Sequence, residues 1–132
     1  MNLARTLILI ALPCLVFGQE EKKPEPKYEM TTYVMGLLRR GPNPPKVSDA
    51  ESQRIQDGHM ANIRKMAETG KLIVAGPFTD NGDLRGVFIF KCSVEEARAL
   101  AAPDPAIQSG RLVLELHPWF AAAGLRVDPP KN

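Results

Sequence analysis

The chain has 132 residues, and its 17 Lys and Arg residues nearly balance 15 Asp and Glu residues. This balance excludes the strongly basic surface that proteins use to bind nucleic acid or an anionic membrane. Hydrophobic residues make up 44% of the chain, which is enough for one domain with a modest core.

The first eighteen residues have the features of a secretory signal peptide. Arg5 precedes an apolar run over residues 7–17, and Val16 and Gly18 suit a cleavage site before Gln19. We expect cleavage before Gln19 and a secreted or periplasmic protein that is not in contact with the membrane. Two alternatives stay open. Cys14 would be the acceptor in a lipoprotein, although Pro13 before it is unfavourable, and the run is short for an uncleaved anchor.

Removal of the signal peptide changes the charge and the sulfur content. The mature chain loses one basic residue and Cys14, so its net charge falls close to +1 and Cys92 is its one cysteine. It therefore cannot form an intramolecular disulfide. Residues 19–27 read as a charged linker broken by prolines, residues 28–125 as the folded domain and residues 126–132 as a polar tail.

The domain begins with a run that predicts a strand. Residues 28–38 are rich in β-branched and aromatic side chains, and apolar residues fall on both parities, as in a strand covered on two faces. Residues 39–47 contain Gly41 and three prolines, a density that neither helix nor sheet tolerates. We predict a loop there that passes over the candidate site.

A helix is predicted to follow this loop. Ser48 to Glu51 has the pattern of a capping box, with the Ser48 hydroxyl and the Glu51 carboxylate each accepting a backbone N–H. Gly70 is placed to end the helix in a left-handed conformation. The inward stripe has spacings of four, four and three and consists of Ile55, His59, Ile63 and Met66. His59 is therefore expected to point inward.

The next two apolar runs predict a hairpin. Residues 71–78 and 86–92 flank a polar segment that contains Asn81-Gly82. An Asn-Gly pair supplies the positive φ angles of a tight hairpin turn. We therefore expect the two runs to pair as antiparallel strands.

One more helix and one more strand complete the domain. A second capping box over residues 93–96 begins a short helix that Pro103 stops, and residues 112–116 then alternate as a last strand before Pro118. The order βαββαβ predicts an α+β ferredoxin-like split βαββαβ fold. In this fold a four-stranded antiparallel sheet carries both helices on one face.

The second face of this sheet also requires cover. In the strand over residues 86–92, Phe88 and Phe90 alternate with Val87 and Ile89, so large apolar side chains point both ways. The helices cover one face. A second copy of the chain is the expected cover for the other, so we predict a homodimer.

His59 and Asp104 form the candidate catalytic pair. In this topology the connection that holds Asp104, between Pro103 and Pro105, runs near the inner face of the first helix. A carboxylate that binds one imidazole nitrogen leaves the other to act as an acid or a base. In the alternative interpretation, His59 is a core residue bonded to a backbone carbonyl and Asp104 only ends a helix in a turn.

Other candidate residues carry weaker signals. Gly76, Pro77 and Phe78 stand at a strand end, where a glycine lets a substrate approach the backbone; alternatively they form only a bend. Cys92 is read as a small buried hydrophobe rather than a nucleophile, because no acid or base is adjacent. The two histidines and the carboxylates lack metal-ligand spacing, so we predict no metal and no cofactor.

Several of these motifs occur together as in the YCII-related family, which the chain resembles from about residue 28 to residue 120. The matching positions are His59, Gly70-Lys71-Leu72, Gly76-Pro77, Gly86, the helix start at Ser93, Asp104-Pro105, Gly110 and Pro118-Trp119. The resemblance implies a dimeric ferredoxin-like α+β domain of the dimeric α/β-barrel type. It also implies a pocket centred on His59 and Asp104. The predicted export and the proline-rich first loop depart from typical members.

Two classes of function follow from these observations. The first is an exported His/Asp acid–base enzyme acting on a small organic substrate, with the lactone isomerase or dehalogenase chemistry to which some members of the family are likened. The second is a non-catalytic dimeric module that binds a small ligand or a partner, with His59 structural. A catalytic histidine needs one ring nitrogen facing a cleft that can hold a ligand. The sequence identifies neither the substrate nor the reaction.

Overall fold

The computed structural model describes residues 24–25 and 27–128, so the predicted signal peptide lies outside the described residues. Four strands and three helices follow one another in these residues: β1 (Met30–Arg40), α1 (Asp49–Glu68), β2 (Leu72–Pro77), β3 (Leu84–Phe90), α2 (Val94–Ala101), α3 (Pro105–Gln108) and β4 (Leu112–Ala122). No helix in the described ranges has the length and apolar content to cross a membrane.

The strands form one antiparallel sheet in the order β2-β3-β1-β4. β1 is central and pairs with β4 along its whole length, from Met30 opposite Ala122 to Arg40 opposite Leu112. Apart from the short additional helix α3, the chain order is the predicted βαββαβ. The α+β ferredoxin-like fold is therefore confirmed.

The core lies between the sheet and the two longer helices. Val34 and Leu38 of β1 and Phe88 and Phe90 of β3 are buried there, and the two phenylalanine rings meet edge to face with centroids 5.8 Å apart. Burial of one such side chain contributes about 1.5–3 kcal/mol to folding. Met66 of α1 and two small residues of α2 close the core from above, and the small residues are Ala97 and Ala101.

The two helix starts differ from each other. At α2 both halves of the capping box form between Ser93 and Glu96, as predicted. At α1 the Ser48 hydroxyl accepts from the Glu51 amide at 3.2 Å, but the Glu51 carboxylate binds Arg54 through both oxygens, at 2.6 and 2.8 Å. The prediction for Glu51 is therefore wrong. A guanidinium one turn along offers two charge-assisted hydrogen bonds, where the helix start offers one neutral N–H.

The hairpin turn also differs from its prediction. Asn81 has a positive φ of 58°, but Gly82 is not among the residues with positive φ. Six residues connect β2 to β3, and Asp80 Oδ1 accepts from the Gly82 amide at 3.2 Å within that loop. A connection of this length does not need the tight two-residue turn that an Asn-Gly pair favours.

The last strand is longer than predicted. β4 continues beyond residue 116 through Pro118 to Ala122. Because β4 is at the edge of the sheet, Pro118 can lack its N–H on the outer side without breaking the ladder to β1. The strand therefore pairs with β1 along the whole length of β1.

The second face of the sheet is partly covered by the chain itself. Tyr33 and Ile89 are buried on this face, and the Tyr33 ring lies 6.1 Å from the Trp119 ring. The Tyr33 hydroxyl accepts from the Leu125 amide at 3.1 Å, so the segment after β4 turns back across the sheet. Val113 and Trp119, also on this face, are each more than a third exposed.

Candidate active site

The structure brings His59 of α1 and Asp104 within hydrogen-bond distance. Nδ1 of His59 lies 2.7 Å from Oδ2 of Asp104, although 45 residues separate the two in the chain. The Asp104 side chain has no solvent exposure, and the His59 side chain has 12%. A carboxylate buried this deeply needs a partner for each oxygen.

Asp104 obtains its second partner from its own helix. It is the N-cap of α3, and Oδ1 accepts from the Ala106 amide at 2.9 Å. Asp at the N-cap with Pro105 at the first helical position is a known helix start, where the sequence predicted only a connection after the second helix. Both carboxylate oxygens are therefore engaged, and the side chain has little freedom to turn away from His59.

Close packing of α1 against α3 makes this contact possible. Gly58, the residue before His59, faces Pro105, the residue after Asp104. A Cβ on Gly58 would come within 2.6 Å of the Pro105 ring, closer than carbon atoms approach. The missing side chain at Gly58 thus lets the two helices approach until His59 and Asp104 meet.

The other side of the imidazole borders a cavity of about 550 Å³. The His59 ring stacks on Phe88 with centroids 6.4 Å apart and an interplanar angle of 27°. Within the described residues, Nε2 has no hydrogen-bond partner. Every buried polar side-chain atom in these residues does have a partner, so Nε2 is not a buried atom. Nε2 is therefore accessible from the cavity, whereas Nδ1 is held by Asp104.

The cavity is apolar over much of its surface. Leu38 and Phe88 contribute from the sheet, and Met60 and Ile63 from α1. Pro44 also lines the cavity, so the proline-rich loop does border the candidate site. A volume of several hundred Å³ is typical of sites for small organic molecules.

Two of the three predicted substrate-binding residues line this cavity. Gly76 and Pro77, at the end of β2, are part of its wall beside His59. Phe78 is not among the lining residues, and 40% of it is exposed. The structure thus brings together His59, Gly76 and Pro77, places Asp104 directly behind His59 and leaves Phe78 outside.

Three arginines at the cavity were not predicted from the sequence. Arg40 is the last residue of β1, Arg111 precedes β4, and Arg85 is the second residue of β3. The pairing of β1 with β3 passes from Leu38 opposite Gly86 to Arg39 opposite Leu84, so Arg85 is the extra residue of a β-bulge. Bulges redirect side chains. No short-range pattern marks these residues, because Arg85 lies 45 positions after Arg40 and 26 before Arg111.

Cys92 does not line the cavity. It packs against the edge of the core. Burial raises the pKa of its thiol above the ordinary value, and the nearby Glu96 acts in the same direction. The thiol is therefore protonated and weakly nucleophilic at neutral pH. In the part of the chain that the structure describes, no cluster of three His, Cys, Asp or Glu side chains is arranged to hold a metal.

These features define an α+β ferredoxin-like protein with a cavity between its sheet and helices and a histidine–carboxylate contact at the cavity wall. The chain belongs to the YCII-related family, whose model matches residues 35–119. The resemblance noted in the sequence is therefore confirmed. The match includes His59, Asp104 and the three arginines.

Comparison with solved structures gives a distant match to a bacterial enzyme. The 5-chloro-2-hydroxyhydroquinone dehydrochlorinase of Burkholderia phenoliruptrix AC1100, solved with 2,5-dihydroxybenzoquinone, aligns with a TM-score of 0.44 and 20% identity. The alignment covers 67% of this chain and 93% of that chain. No match was found among curated proteins.

Proposed function

We propose that this protein is an enzyme that moves a proton on a small organic substrate, with His59 as the acid–base group and Asp104 as its orienting partner. The observation that carries the proposal is the asymmetry of the imidazole. Nδ1 faces a buried carboxylate at 2.7 Å, and Nε2 is accessible from a cavity of about 550 Å³. Membership of the YCII-related family agrees with a role on small molecules.

The proposed chemistry begins with the tautomer of His59. An ionised Asp104 accepts a hydrogen bond from Nδ1–H, so the proton of the neutral ring stays on Nδ1 and the lone pair lies on Nε2. Nε2 then removes a proton from a substrate carbon next to a carbonyl group, and Asp104 stabilises the resulting imidazolium. In an isomerase the imidazolium returns that proton to another carbon. In a dehalogenase the electron pair of the C–H bond forms a double bond as halide leaves.

A second candidate function is small-ligand binding without catalysis. Its support is that the His59–Asp104 contact also joins α1 to α3 and that Asp104 caps α3. In that case the contact would serve stability, and the cavity would serve only binding. The two functions differ in what the loss of the imidazole costs.

Proton transfer can be measured before the physiological substrate is known. We would incubate the protein in D2O with α-angelica lactone and with 2-oxobutanoate and follow deuterium incorporation by proton NMR. The wild type should exchange at least one compound faster than buffer does. His59→Gln should abolish the protein-dependent exchange, with a loss of stability within about 1 kcal/mol, because the amide can still donate to Asp104.

A second variant tests the orienting role. Asp104→Asn presents an N–H to Nδ1, which reverses the tautomer and puts the proton on Nε2, so exchange should fall about 10²-fold or more. His117→Gln is the matched control, because His117 is exposed and not among the cavity residues. Exchange that survives in His59→Gln would refute the enzyme proposal. A large loss of stability in both site variants, with no exchange by the wild type, would favour the binding module.

We also propose that two copies of the chain associate through the sheet face opposite the helices. The support is the set of apolar side chains on that face that the rest of the chain covers incompletely. They are Met35, Leu37, Val87, Val113 and Trp119.

Export with cleavage before Gln19, to a secreted or periplasmic location, is proposed from the sequence of residues 1–18 alone.

A further inference from the structure

The cavity beside His59 has an unbalanced charge. Three arginines line it, Arg40, Arg85 and Arg111, and no Asp or Glu is among its lining residues in the part of the chain that the structure describes. Asp104 is behind the imidazole of His59 and has both oxygens engaged. An apolar cavity with this much positive charge favours an anion.

Arg85 and Arg111 are bonded only to neutral groups within residues 24–25 and 27–128. Arg111 donates to the Ser52 hydroxyl at 2.8 Å and to the Ser52 carbonyl at 3.4 Å, and Arg85 donates to the Gly82 carbonyl at 3.2 Å. A guanidinium has five N–H donors, so each arginine keeps donors for a ligand. Arg40 lies 3.7 Å from Asp83, and both side chains are largely exposed.

We propose that the substrate of this cavity is a small organic carboxylate, held by Arg85 and Arg111 with its apolar body against Phe88. This inference rests on the proposed function, because it names the substrate class of the same site. The planar fork of arginine matches the two oxygens of a carboxylate. The apolar wall formed by Leu38, Ile63 and Phe88 matches a hydrocarbon or ring body.

The arginines also suit the proposed chemistry. A substrate that already carries a carboxylate gains further negative charge when His59 removes a proton from carbon. Guanidinium groups fixed at the cavity stabilise that charge as it develops. One set of side chains therefore selects the substrate and lowers the barrier to proton removal.

The test measures binding of two acids and their uncharged amides. Benzoate and cyclohexanecarboxylate would be titrated into the protein and followed by NMR chemical shifts, with benzamide and cyclohexanecarboxamide as neutral partners of nearly the same shape. We expect at least one carboxylate to bind about tenfold or more tightly than its amide, because hydrogen bonds between charged groups are worth more than neutral ones. Its affinity should fall as ionic strength rises.

Variants then locate the binding site. Arg85→Gln and Arg111→Gln should each weaken carboxylate binding about tenfold, with partial recovery in Arg85→Lys and Arg111→Lys. Arg64→Gln removes the same charge from an exposed position of α1 and should have no effect. Because Arg111 also binds Ser52, its variant is checked by thermal unfolding, and Arg85→Gln provides the independent measurement.

The outcomes separate this inference from the proposed function. Equal binding of acids and amides, no binding of either acid, or unchanged binding in both Gln variants would overturn the carboxylate site. His117→Gln should keep carboxylate binding within about threefold, because His117 is exposed and is not among the cavity residues. If the arginines bind carboxylates but no compound shows protein-dependent deuterium exchange, the proposed function fails and the carboxylate site stands.

Discussion

His59 obtains its proposed chemistry from a contact 45 residues away in the chain. A neutral histidine side chain in water interconverts between two tautomers, so either ring nitrogen can carry the proton. In this protein the Asp104 carboxylate is held by its own helix, and in the proposed chemistry it selects the tautomer with the lone pair on Nε2. The same side chain caps α3 and contacts the histidine, so under the proposed function one residue contributes both to stability and to the site.

Cys92 allows a pH-dependent prediction at the same scale. Burial raises the pKa of its thiol above the ordinary value of 9.0. Alkylation by iodoacetamide should therefore be slower in the folded protein than in a short cysteine peptide at pH 8, and the midpoint of its pH profile should lie above 9.0. Rates measured by mass spectrometry between pH 7 and pH 10, at steps of about one unit, test this.

The raised pKa of Cys92 also sets the direction in which stability changes with pH. The folded state binds the thiol proton more tightly than the unfolded state. The contribution of Cys92 to the free energy of unfolding is therefore present below the unfolded pKa and is lost as pH rises through the folded pKa. The urea-unfolded protein is the control, and its thiol should react like the peptide. Equal rates for the folded and unfolded protein would show that Cys92 is a reactive thiol and contradict the buried role.

At the scale of elements, the approach of α1 to α3 decides the geometry of the site. An alanine at position 58 would gain about 1 kcal/mol of helix propensity over glycine. It would also place a Cβ 2.6 Å from the Pro105 ring, and such overpacking costs about 1–3 kcal/mol. We therefore predict that Gly58→Ala destabilises the protein, displaces α3 and weakens proton exchange.

The matched control removes the Pro105 ring, which is the group that a Cβ at position 58 would contact. In the double variant Gly58→Ala with Pro105→Ala, the clash is gone and the propensity gain should reappear, so stability should exceed that of Gly58→Ala alone. Urea unfolding of the wild type, both single variants and the double variant measures this coupling. Independent, additive effects of the two substitutions would show that the close contact does not position the helices.

For the whole molecule, the second sheet face raises the question of association. Val113 on that face and Val47 before α1 are similarly exposed, at 42% and 39%. If two copies pair through the face, light scattering on residues 19–132 should give about twice the chain mass at micromolar concentration. Val113→Asp should shift the protein to monomer, because a charge in an apolar interface is costly. Val47→Asp should not.

Either of two results would contradict this prediction. A wild-type monomer at that concentration would show that the segment around Leu125 suffices to cover the face. A dimer that responds to Val47→Asp and not to Val113→Asp would place the interface elsewhere. Unfolding curves for both variants exclude misfolding as the cause.

Export is also a prediction about the whole chain. Residues 7–17 form an apolar run after Arg5, and the expected mature protein begins at Gln19. Mass spectrometry of the exported protein should find that N-terminus, with or without cyclisation of the glutamine. Substitution of Gly18 by Arg should block cleavage, since the signal peptidase needs a small residue there. A mature chain that keeps residues 7–17 would contradict the prediction.

Much of the fold could be predicted because periodicity and capping act over a few residues. The stripe through Ile55 and Met66 indicated α1, and the second capping box indicated α2. The predicted order of strands and helices along the chain correctly indicated a four-stranded antiparallel sheet. The errors occurred where local patterns had competing partners, as when Glu51 bound Arg54, or where a loop was longer than its turn motif requires.

The sequence by itself determined the inward position of His59 and nominated Asp104 as its partner, because helical periodicity and residue chemistry can be read locally. Only the tertiary structure decided that the two side chains meet, that Gly58 permits it and that Phe78 lies outside the cavity. Only the tertiary structure showed that Arg40, Arg85 and Arg111 line one cavity. Distances between separate strands depend on register and on a β-bulge, and neither is encoded in a short-range pattern.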